Sequence, residues 1–256
     1  MIRGLYTSSA GMQVEQLRQE AIANNLANLN TAGFRRDLAI MEARKGLKLS
    51  RTHIPTGAGP EAGTKRQEIG TVGTGVMVQR MVKDFSQGDM HETENPFDLG
   101  LQGKGFFTVQ GANGQTFYSR DGQFTRSKDG TMVDKAGNKL MGLAGPVVVN
   151  GKLEIGTDGT IAVNGRRIDR LALVQFDNAD ADLAKHGDTM FQDVGRTGPK
   201  PATGLEVHQG TLEGANVNSV QEMVHMIAAL RQYEANQKAA QSQDETLARA
   251  VNDIAK

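Results

Sequence analysis

The pattern of apolar positions divides the chain into helical spacing at both ends and β-type spacing between them. In the C-terminal segment these positions recur at alternating steps of three and four, as in a coiled-coil seam. One set of heptad positions comprises Met223, Leu230, Gln237, Asp244 and Val251, and the other Met226, Tyr233, Ala240, Leu247 and Ile254. Gln237 and Asp244 interrupt the seam, which costs stability and can specify register. The sequence therefore predicts a long C-terminal helix that packs against another helix.

The N-terminal segment has a similar but weaker pattern. Two neighbouring stripes run along it, formed by Ile2, Leu5, Ser9 and Met12 and by Ala10, Val14, Leu17 and Ala21. Two adjacent stripes indicate a helix that packs against more than one neighbour. Because an isolated amphipathic helix of this length is marginal in water, we expect both ends to be poorly ordered in a free monomer and helical in an assembly.

The middle of the chain has regularly spaced turn dipeptides. They are Asn113-Gly114, Asp121-Gly122, Asp129-Gly130, Gly137-Asn138, Asn150-Gly151, Asp158-Gly159 and Asn164-Gly165. Such dipeptides supply the positive φ values of tight hairpin turns, and short β-type runs lie between them. This rhythm predicts an antiparallel meander or a small barrel.

These patterns predict an α+β fold, in which the N- and C-terminal helices pair as a coiled-coil-like bundle beside a central, mostly antiparallel β domain. We assign residues 1–30 to the first helix, 31–84 to an extended arm or linker, 85–210 to the β-rich domain and 211–256 to the last helix. Within the arm, residues 35–46 fit either a short second helix or an extended segment. Glycine and proline within 50–75 favour a loop or linker there, and a strand restarts at Val76.

Composition excludes several classes of protein. The 29 basic and 29 acidic residues balance, whereas a nucleic-acid-binding protein usually has a basic excess. No run of 18 apolar residues is present, so we expect no membrane insertion. The N-terminus lacks the apolar core and cleavage site of a secretory signal. Cysteine is absent, which excludes disulfides and thiolate chemistry.

No residue pattern indicates catalysis, a cofactor or a metal ion. Gly100, Gly103 and Gly105 precede a strand, whereas a phosphate-binding loop follows one. Asp177, Asp180 and Asp182 lack the glycine and the closing glutamate of a calcium loop. No histidine has a histidine partner three or four residues away, and no serine lies in a nucleophile elbow. The residues alone leave open a self-assembling protein and a β-rich adhesin or peptidoglycan-acting module on a coiled-coil stalk.

Three longer motifs resemble one family. Residues 23–36 (Ala-Asn-Asn-Leu-Ala-Asn-Leu-Asn-Thr-Ala-Gly-Phe-Arg-Arg) resemble the N-terminal signature of bacterial flagellar axial proteins. Further matches lie in residues 101–107 with 118–122 and Phe124, and in residues 210–218 with 222–223, 226–227 and 231–234. Together they span nearly the whole chain in the family's order. The chain thus resembles the flagellar basal-body rod proteins.

The resemblance implies that the chain is a non-enzymatic subunit of the rod, the shaft that transmits torque from the motor to the hook. Its terminal helices would form the innermost tube, with the β domain outside. Its partners would be copies of itself, other rod and hook axial proteins, and the flagellar type III export apparatus. Asn24, Asn25 and Asn28 would satisfy backbone groups where the first helix ends. The implied assembly residues are Asn24, Asn25, Leu26, Asn28, Gly33, Phe34, Asn216, Val217, Asn218, Met223, Met226, Ile227, Leu230, Tyr233, Leu247, Val251 and Ile254.

Two subtypes of rod protein share these motifs. Residues 142–147, 155–159 and 170–174 look more like the proximal rod type, whereas residues 69–76 and the long arm also resemble the distal type. We favour the proximal type and keep the distal type as the alternative.

Overall fold

The computed structural model describes residues 2–53, 65–187, 189–195 and 197–254. Its helices are α1 (Ile2–Ala27), α2 (Ala179–Asp182) and α3 (Ser219–Ile254). Its strands are β1 (Asp37–Ala43), β2 (Leu47–His53), β3 (Lys65–Val72), β4 (Val76–Lys83), β5 (Met90–Glu92), β6 (Leu99–Gln102), β7 (Phe106–Gln110), β8 (Thr116–Ser119), β9 (Thr125–Arg126), β10 (Met132–Val133), β11 (Lys139–Leu140), β12 (Leu153–Ile155), β13 (Thr160–Val163), β14 (Arg166–Arg170), β15 (Leu173–Gln175), β16 (Leu183–His186), β17 (Met190–Asp193), β18 (Lys200–Pro201), β19 (Glu206–Gln209) and β20 (Thr211–Glu213). The α+β class is confirmed, with an N-terminal helix, a central antiparallel β region and a C-terminal helix.

The chain divides into two compact units. One, here called the helix–arm unit, contains Met1–Ala23, Leu38–Met81 and Met223–Lys256. The other, here called the β unit, contains Asn24–Asp37 and Val82–Glu222. The last turn of α1 and the first turn of α3 therefore belong to the β unit.

In the helix–arm unit, α1 and α3 approach each other at two glycines. A Cβ atom built on Gly11 would lie only 2.7 Å from Asn236 Nδ2, and one built on Gly4 would collide with the amide of Gln243. From Gly4 to Gly11, α1 advances by seven residues, while the contacted residue on α3 moves back by seven, from Gln243 to Asn236. The two helices therefore run antiparallel. Because glycine has no side chain, the amide groups of Asn236 and Gln243 fit against α1 at these two positions.

A second neighbour covers another side of α1. Gly75, in the turn between β3 and β4, lies against Thr7 and Ala10, and a Cβ on Gly75 would be 3.5 Å from that of Ala10. Ala10, Val14 and Ala21 from one predicted stripe are buried. Leu17 of that stripe and Leu5 of the other are exposed, at 45% and 36%, so the interpretation of two packed stripes stays a prediction.

The two predicted stripes of α3 differ in exposure within the single chain. Met226, Tyr233, Ala240 and Leu247 are half-buried, whereas Met223, Leu230, Gln237, Asp244 and Val251 are exposed. The side chain of Ile254 lies outside the described residues. Each member of the exposed stripe, from Met223 to Val251, directly follows a more protected residue. These protected residues are Glu222, Ala229, Asn236, Gln243 and Ala250. The coiled-coil seam itself stays a prediction.

The arm consists of two strand pairs. β1 pairs with β4, and β2 pairs with β3 in antiparallel register from Leu47 opposite Val72 to His53 opposite Lys65. The expected loop or linker across residues 50–75 is therefore wrong for its described part, because the glycines there interrupt strands without preventing pairing. Residues 35–46 form an extended segment and not a second helix. Residues 54–64 lie outside the described residues.

The β unit is built around one antiparallel sheet in the order β16-β17-β8-β7-β11-β10-β9; in addition, β15 pairs with β7 and β18 pairs with β15. Smaller sheets are β12-β13-β14, β19-β6 and β20-β5. The main apolar core includes Phe107, Phe124, Met132, Leu140 and Ile161. A second cluster contains Phe106, Tyr118, Leu183 and Phe191. The predicted antiparallel β region is confirmed.

Most of the predicted turns link neighbouring strands. Asn164 and Gly165 have φ values of 53° and 78° and join β13 to β14, the conformation that a type I′ turn requires. Asp121-Gly122 instead lies between β8 and β9, which do not pair with each other. A Cβ on Gly122 would collide with the Leu99 carbonyl oxygen, so this glycine provides space.

Both helix boundaries differ from those predicted. α1 ends at Ala27 and is followed by turns. The N–H of Asn28 still donates to the carbonyl four residues earlier, that of Asn24, but the N–H groups of Leu29 and Thr31 donate to carbonyls only three residues earlier. Residues 211–213, expected to begin the last helix, form β20, whose Leu212 pairs with His91 of β5. The helix itself begins at Ser219.

Candidate functional site

The three family-like motifs meet in one part of the β unit. The first supplies residues 24–36, the second supplies Arg120, and the third supplies residues 213–218 and Glu222; Asp37, residues 83–88 and residues 219–221 complete the arrangement. We call this arrangement the joint. It fixes the end of α1, the start of α3 and the two ends of the arm.

A buried ionic cluster lies at the centre of the joint. Arg35 Nη2 donates to Glu213 Oε1 at 2.6 Å, and Arg120 Nη1 donates to Glu213 Oε2 at 2.9 Å. The side chains of Arg35 and Glu213 are 1% and 0% exposed. Oε1 also accepts the N–H of Gly88 at 2.9 Å. One carboxylate therefore connects the N-terminal motif, the β sheet and the strand before α3.

Burying these charges is costly, so the cluster depends on all of its partners. Burial lowers the pKa of Arg120 to about 10; Glu213 opposes the shift and Arg35 adds to it. Arg120 also donates to the carbonyl oxygens of Leu101 and Gly103. Removing one member of such a buried pair typically costs about 3–5 kcal/mol, because an uncompensated charge is left behind.

A second network links the start of the arm to its end. Arg36 N–H donates to Asn216 Oδ1 at 2.9 Å, and Arg36 Nη2 contacts Asp84 Oδ2 at 2.9 Å. Asn216 Nδ2 in turn donates to the carbonyl oxygens of Asp84 and Ser86 at 2.7 and 3.1 Å. Burial would raise the pKa of Asp84, but hydrogen bonds from Ser86 and Arg36 outweigh burial and lower the pKa below its ordinary value.

Of the three asparagines expected to satisfy backbone groups where α1 ends, Asn25 and Asn28 do so through their side chains. Asn25 Oδ1 accepts the N–H of Asp37 at 2.8 Å, and its Nδ2 donates to the Asp37 carbonyl at 3.0 Å and to Glu222 Oε2 at 3.4 Å. Asn28 Nδ2 donates to the carbonyl of Asn24 at 3.0 Å, and the side chain of Asn24 is exposed. Asn25 therefore forms a direct link between the end of α1 and the start of β1.

Gly33 and Phe34 connect the turn after α1 to the rest of the β unit. Gly33 has φ +67°, and its N–H donates to the Glu213 carbonyl at 2.8 Å. Phe34 is fully buried, and Lys185 Nζ lies 4.8 Å from its ring centroid. Lys185 and Lys83 both contact the Asp37 carboxylate, at 3.4 and 2.5 Å.

The third motif begins α3. Asn218 Oδ1 accepts the N–H groups of Val220 and Gln221 at 3.0 and 3.1 Å, which is the geometry of a helix N-cap. Val217 is half-buried beside it.

The joint brings together Asn25, Gly33, Phe34 and Asn216 from the predicted set, with Asn28 and Asn218 at its margins. Leu26 is half-buried on the last turn of α1. The predicted residues from Met223 to Val251 lie along α3, and their assembly role stays a prediction. The sequence analysis missed Arg35, Arg120 and Glu213 as site residues; the available signal was that each is a charged residue within one of the three family-like motifs.

The chemistry of the joint is that of a structural connection. Its charges are engaged with one another and with backbone groups. Across the described ranges, no group of three or more His, Cys, Asp or Glu side chains could hold a metal ion. No helix within the part of the chain that the structure describes is long and apolar enough to cross a membrane.

Comparison with known families gives three matches along the chain. Residues 5–35 match the family described as flagella basal body rod protein, and residues 100–163 match the flagellar hook protein FlgE/F/G D1 domain. Residues 208–253 match the flagellar basal body rod FlgEFG protein C-terminal family. The first of these matches covers the joint as far as residue 35, and the last covers residues 213–222 of the joint.

Curated relatives match over nearly their whole length. The flagellar basal-body rod protein FlgF of Caulobacter vibrioides is 32% identical, covering 100% of this chain and 99% of that protein. FlgG of Buchnera aphidicola subsp. Schizaphis graminum is 31% identical, covering 96% and 98%. The flagellar hook-basal body complex protein FlhO of Bacillus subtilis is 30% identical, covering 100% of both.

Proposed function

The chain belongs to the flagellar basal-body rod protein family, and from this premise we propose that it is a structural subunit of the proximal rod. It would polymerise with copies of itself and with other rod and hook axial proteins into the shaft that transmits torque from motor to hook.

The observation that carries this proposal is an apolar face on the first turns of α3. Its members are Val220, Met223, Val224, Ile227 and Leu230, which are 64%, 50%, 59%, 51% and 45% exposed. Their spacing places them side by side along one face of the helix, away from the position where Asn236 meets Gly11. A contiguous exposed apolar surface of this kind is typical of an interaction site. We call it the outward face of α3, and propose that neighbouring subunits cover it.

The joint supports the same function mechanically. In a subunit of a rotating shaft, the chain segments that follow α1 and precede α3 must be held firmly at the helix ends. The Asn25 amide, the Arg36–Asp84 pair and Glu213 supply that connection through many short contacts in the β unit.

The choice of the proximal type is based on residues 142–147, 155–159 and 170–174, which resemble that type. Relatives with different names match at nearly equal identity, 32% and 31%, so the choice depends on those segments alone. The distal type is the alternative.

We further propose that the protein reaches the rod through the flagellar type III export apparatus and has no enzymatic activity. The support for a purely structural role is that the charges of the joint are engaged internally. Peptidoglycan hydrolysis by the purified, metal-depleted protein, abolished by one substitution, would instead favour a peptidoglycan-acting module.

The test replaces Leu230 with Asp. Leu230 is 45% exposed in the single chain, so the variant should fold as a monomer and be expressed normally. In an assembly the new carboxylate would be buried without a partner, which costs several kcal/mol per subunit. We expect cells carrying Leu230→Asp to lack complete rods and to be non-motile, by electron microscopy of basal bodies and swimming assays.

Gln241→Asp is the matched control, since it adds the same charge at an exposed position beyond the outward face. Leu247 is less suitable because it is half-buried within the chain itself. Normal rods and swimming in the Leu230→Asp strain would contradict the proposal.

A further inference from the structure

We propose that Asn150 is a site of spontaneous chemical modification, at which the chain converts this asparagine into aspartate and isoaspartate with water as the only co-reactant. Asparagine is one of the thermally labile side chains of proteins. Asn150 precedes Gly151 in a turn dipeptide of the β unit, between two buried residues of the main core, Val149 and Leu153. Neither the structural role of the chain nor the family matches assign a modification to it.

The reaction is an attack of the backbone on the side chain. The Gly151 nitrogen forms a bond to Cγ of Asn150, the Cγ–Nδ2 bond breaks, and ammonia leaves with the proton of the Gly151 N–H, which produces a cyclic imide. Water then adds to one of the two carbonyl carbons of the ring, the bond from that carbon to nitrogen breaks, and the nitrogen regains a proton. Opening at Cγ gives aspartate, and opening at the backbone carbonyl carbon gives isoaspartate. Glycine favours the attack because it has no side chain to obstruct a close approach.

The chain has three Asn-Gly dipeptides, so their surroundings decide which one reacts. The attack requires an asparagine amide and a following N–H that are both free to move. In the turn that joins β7 to β8, the Gly114 N–H donates to the Gly111 carbonyl at 2.9 Å. The nitrogen that would attack Asn113 is therefore held in place.

Asn164 is held through its own side chain. Its Oδ1 accepts the N–H of Lys152 at 2.9 Å, and its N–H donates to the Lys152 carbonyl at 2.9 Å. Asn164 and Gly165 also have the positive φ values of the hairpin between β13 and β14. To bring its Cγ to the Gly165 nitrogen, Asn164 would have to break the bond from its Oδ1 and leave the turn conformation.

Asn150 has neither restraint. It is exposed in the bend that leads into β12. Within the part of the chain that the structure describes, its amide and the N–H of Gly151 make no hydrogen bond. A Cβ built on Gly130 would lie 2.5 Å from Asn150 Oδ1, so that glycine leaves room for the amide. Both reacting groups of this dipeptide are free.

The sequence provides an internal control for this comparison. Residues 149–152 read Val-Asn-Gly-Lys, and residues 163–166 read Val-Asn-Gly-Arg. Because the neighbours of the two asparagines are chemically equivalent, Asn150 and Asn164 should react alike in the unfolded chain. A difference between them in the folded chain comes from the structure.

The experiment incubates the full chain in mildly alkaline buffer, folded and in concentrated urea. Mass spectrometry of its peptides, with electron-transfer fragmentation to separate aspartate from isoaspartate, follows each asparagine over time. In the folded chain we expect Asn150 to convert at least tenfold faster than Asn113 and Asn164, with heavy oxygen incorporated from labelled water. In urea, Asn150 and Asn164 should convert at equal rates. Equal rates at these two residues in the folded chain, or the same ratio of rates with and without urea, would overturn the proposal.

Matched variants assign the reaction to one residue. Each conversion adds a negative charge, so the folded wild-type chain should form a more acidic species that isoelectric focusing resolves. Asn150→Gln should slow its formation at least tenfold, because glutamine would have to form a larger ring. Asn113→Gln, the same change at another exposed turn, should leave the rate unchanged. Circular dichroism checks that both variants fold, and an acidic species that forms in Asn150→Gln at the wild-type rate would contradict the assignment.

Discussion

At the residue scale, the joint is held by polar side chains that are far apart in sequence. Arg35 and Glu213 are separated by 178 positions, and Arg120 and Glu213 by 93. A single sequence shows which of these residues are charged but not which of them meet, because the meeting depends on the completed β unit. The local parts of the site, such as the Asn25 amide at a helix end, could be predicted.

Glu213→Gln tests the ionic cluster. The substitution keeps the shape of the side chain but leaves Arg35 and Arg120 buried without a counter-charge. We expect the free energy of unfolding of the β unit to fall by about 3–5 kcal/mol, measured by urea denaturation. Glu206→Gln, an exposed glutamate on β19, should change it by less than about 0.5 kcal/mol. Equal effects of the two substitutions would show that the cluster contributes no stability.

Asp84→Asn tests the second network through pH. The pKa of folded Asp84 lies below its unfolded value, so its carboxylate stabilises the fold above the ordinary aspartate range. That contribution is lost as the pH falls from the unfolded pKa through the lower folded pKa. Between neutral pH and about pH 3, the variant should therefore lose less stability than the wild type, measured by urea denaturation at each pH. Asp129→Asn, at an exposed turn, should behave as the wild type; a parallel pH dependence in the Asp84 variant would refute the coupling.

At the element scale, the sequence predicted each helix better than the way in which the helices meet. The hydrophobic pattern selected Met223, Leu230 and Val251 because they are large and apolar, yet these side chains are exposed in the chain. The inner positions include the amides Asn236 and Gln243, which fit where α1 has glycines. An apolar-periodicity argument cannot find a contact between an amide and a glycine, since neither residue carries a hydrophobic signal.

Gly11→Ala, alone and with Asn236→Ala, tests the contact between the helices. Alanine favours a helix over glycine by about 1 kcal/mol, but its Cβ would lie 2.7 Å from Asn236 Nδ2. We expect Gly11→Ala to bring no gain in the wild-type background and a gain approaching about 1 kcal/mol in the Asn236→Ala background. Thermal unfolding followed by circular dichroism measures both.

Gln13→Ala is the control, because Gln13 is exposed and its effect should be independent of residue 236. An equal gain from Gly11→Ala in both backgrounds would show that the helices do not meet at this position.

At the scale of the whole molecule, the two units differ in how much apolar core they contain. The β unit contains both clusters of buried apolar side chains. The arm consists of two-stranded pairs, which are marginal in water without further packing, and the outward face of α3 is uncovered. The turn dipeptides made the β unit predictable, because local backbone geometry fixes each hairpin. The inclusion of residues 24–37 and 211–222 in the β unit was not predictable, since it follows from contacts across the chain.

Limited proteolysis should reveal this division. In monomeric protein we expect rapid cleavage in the arm and in α3, and a resistant fragment near residues 82–222. Residues 24–37 should remain bound to that fragment, because Arg35 and Phe34 are buried in the β unit. Mass spectrometry under native conditions identifies the retained peptide, and Glu213→Gln should release it. An arm and helices as resistant as the β unit, in protein shown to be monomeric, would refute the expectation.

The closure between Arg36 and Asp84 has a consequence for how this architecture can vary. The Asp84 N–H donates to the Arg36 carbonyl at 3.0 Å, so the arm between these two residues is a loop whose two ends are joined by a hydrogen bond. Doubling the length of a closed loop costs only about 0.6 kcal/mol. An arm could therefore be shortened, extended or exchanged for that of another subunit while the joint stays unchanged. The reach of a subunit toward its neighbours can thus diversify independently of the part that must stay rigid.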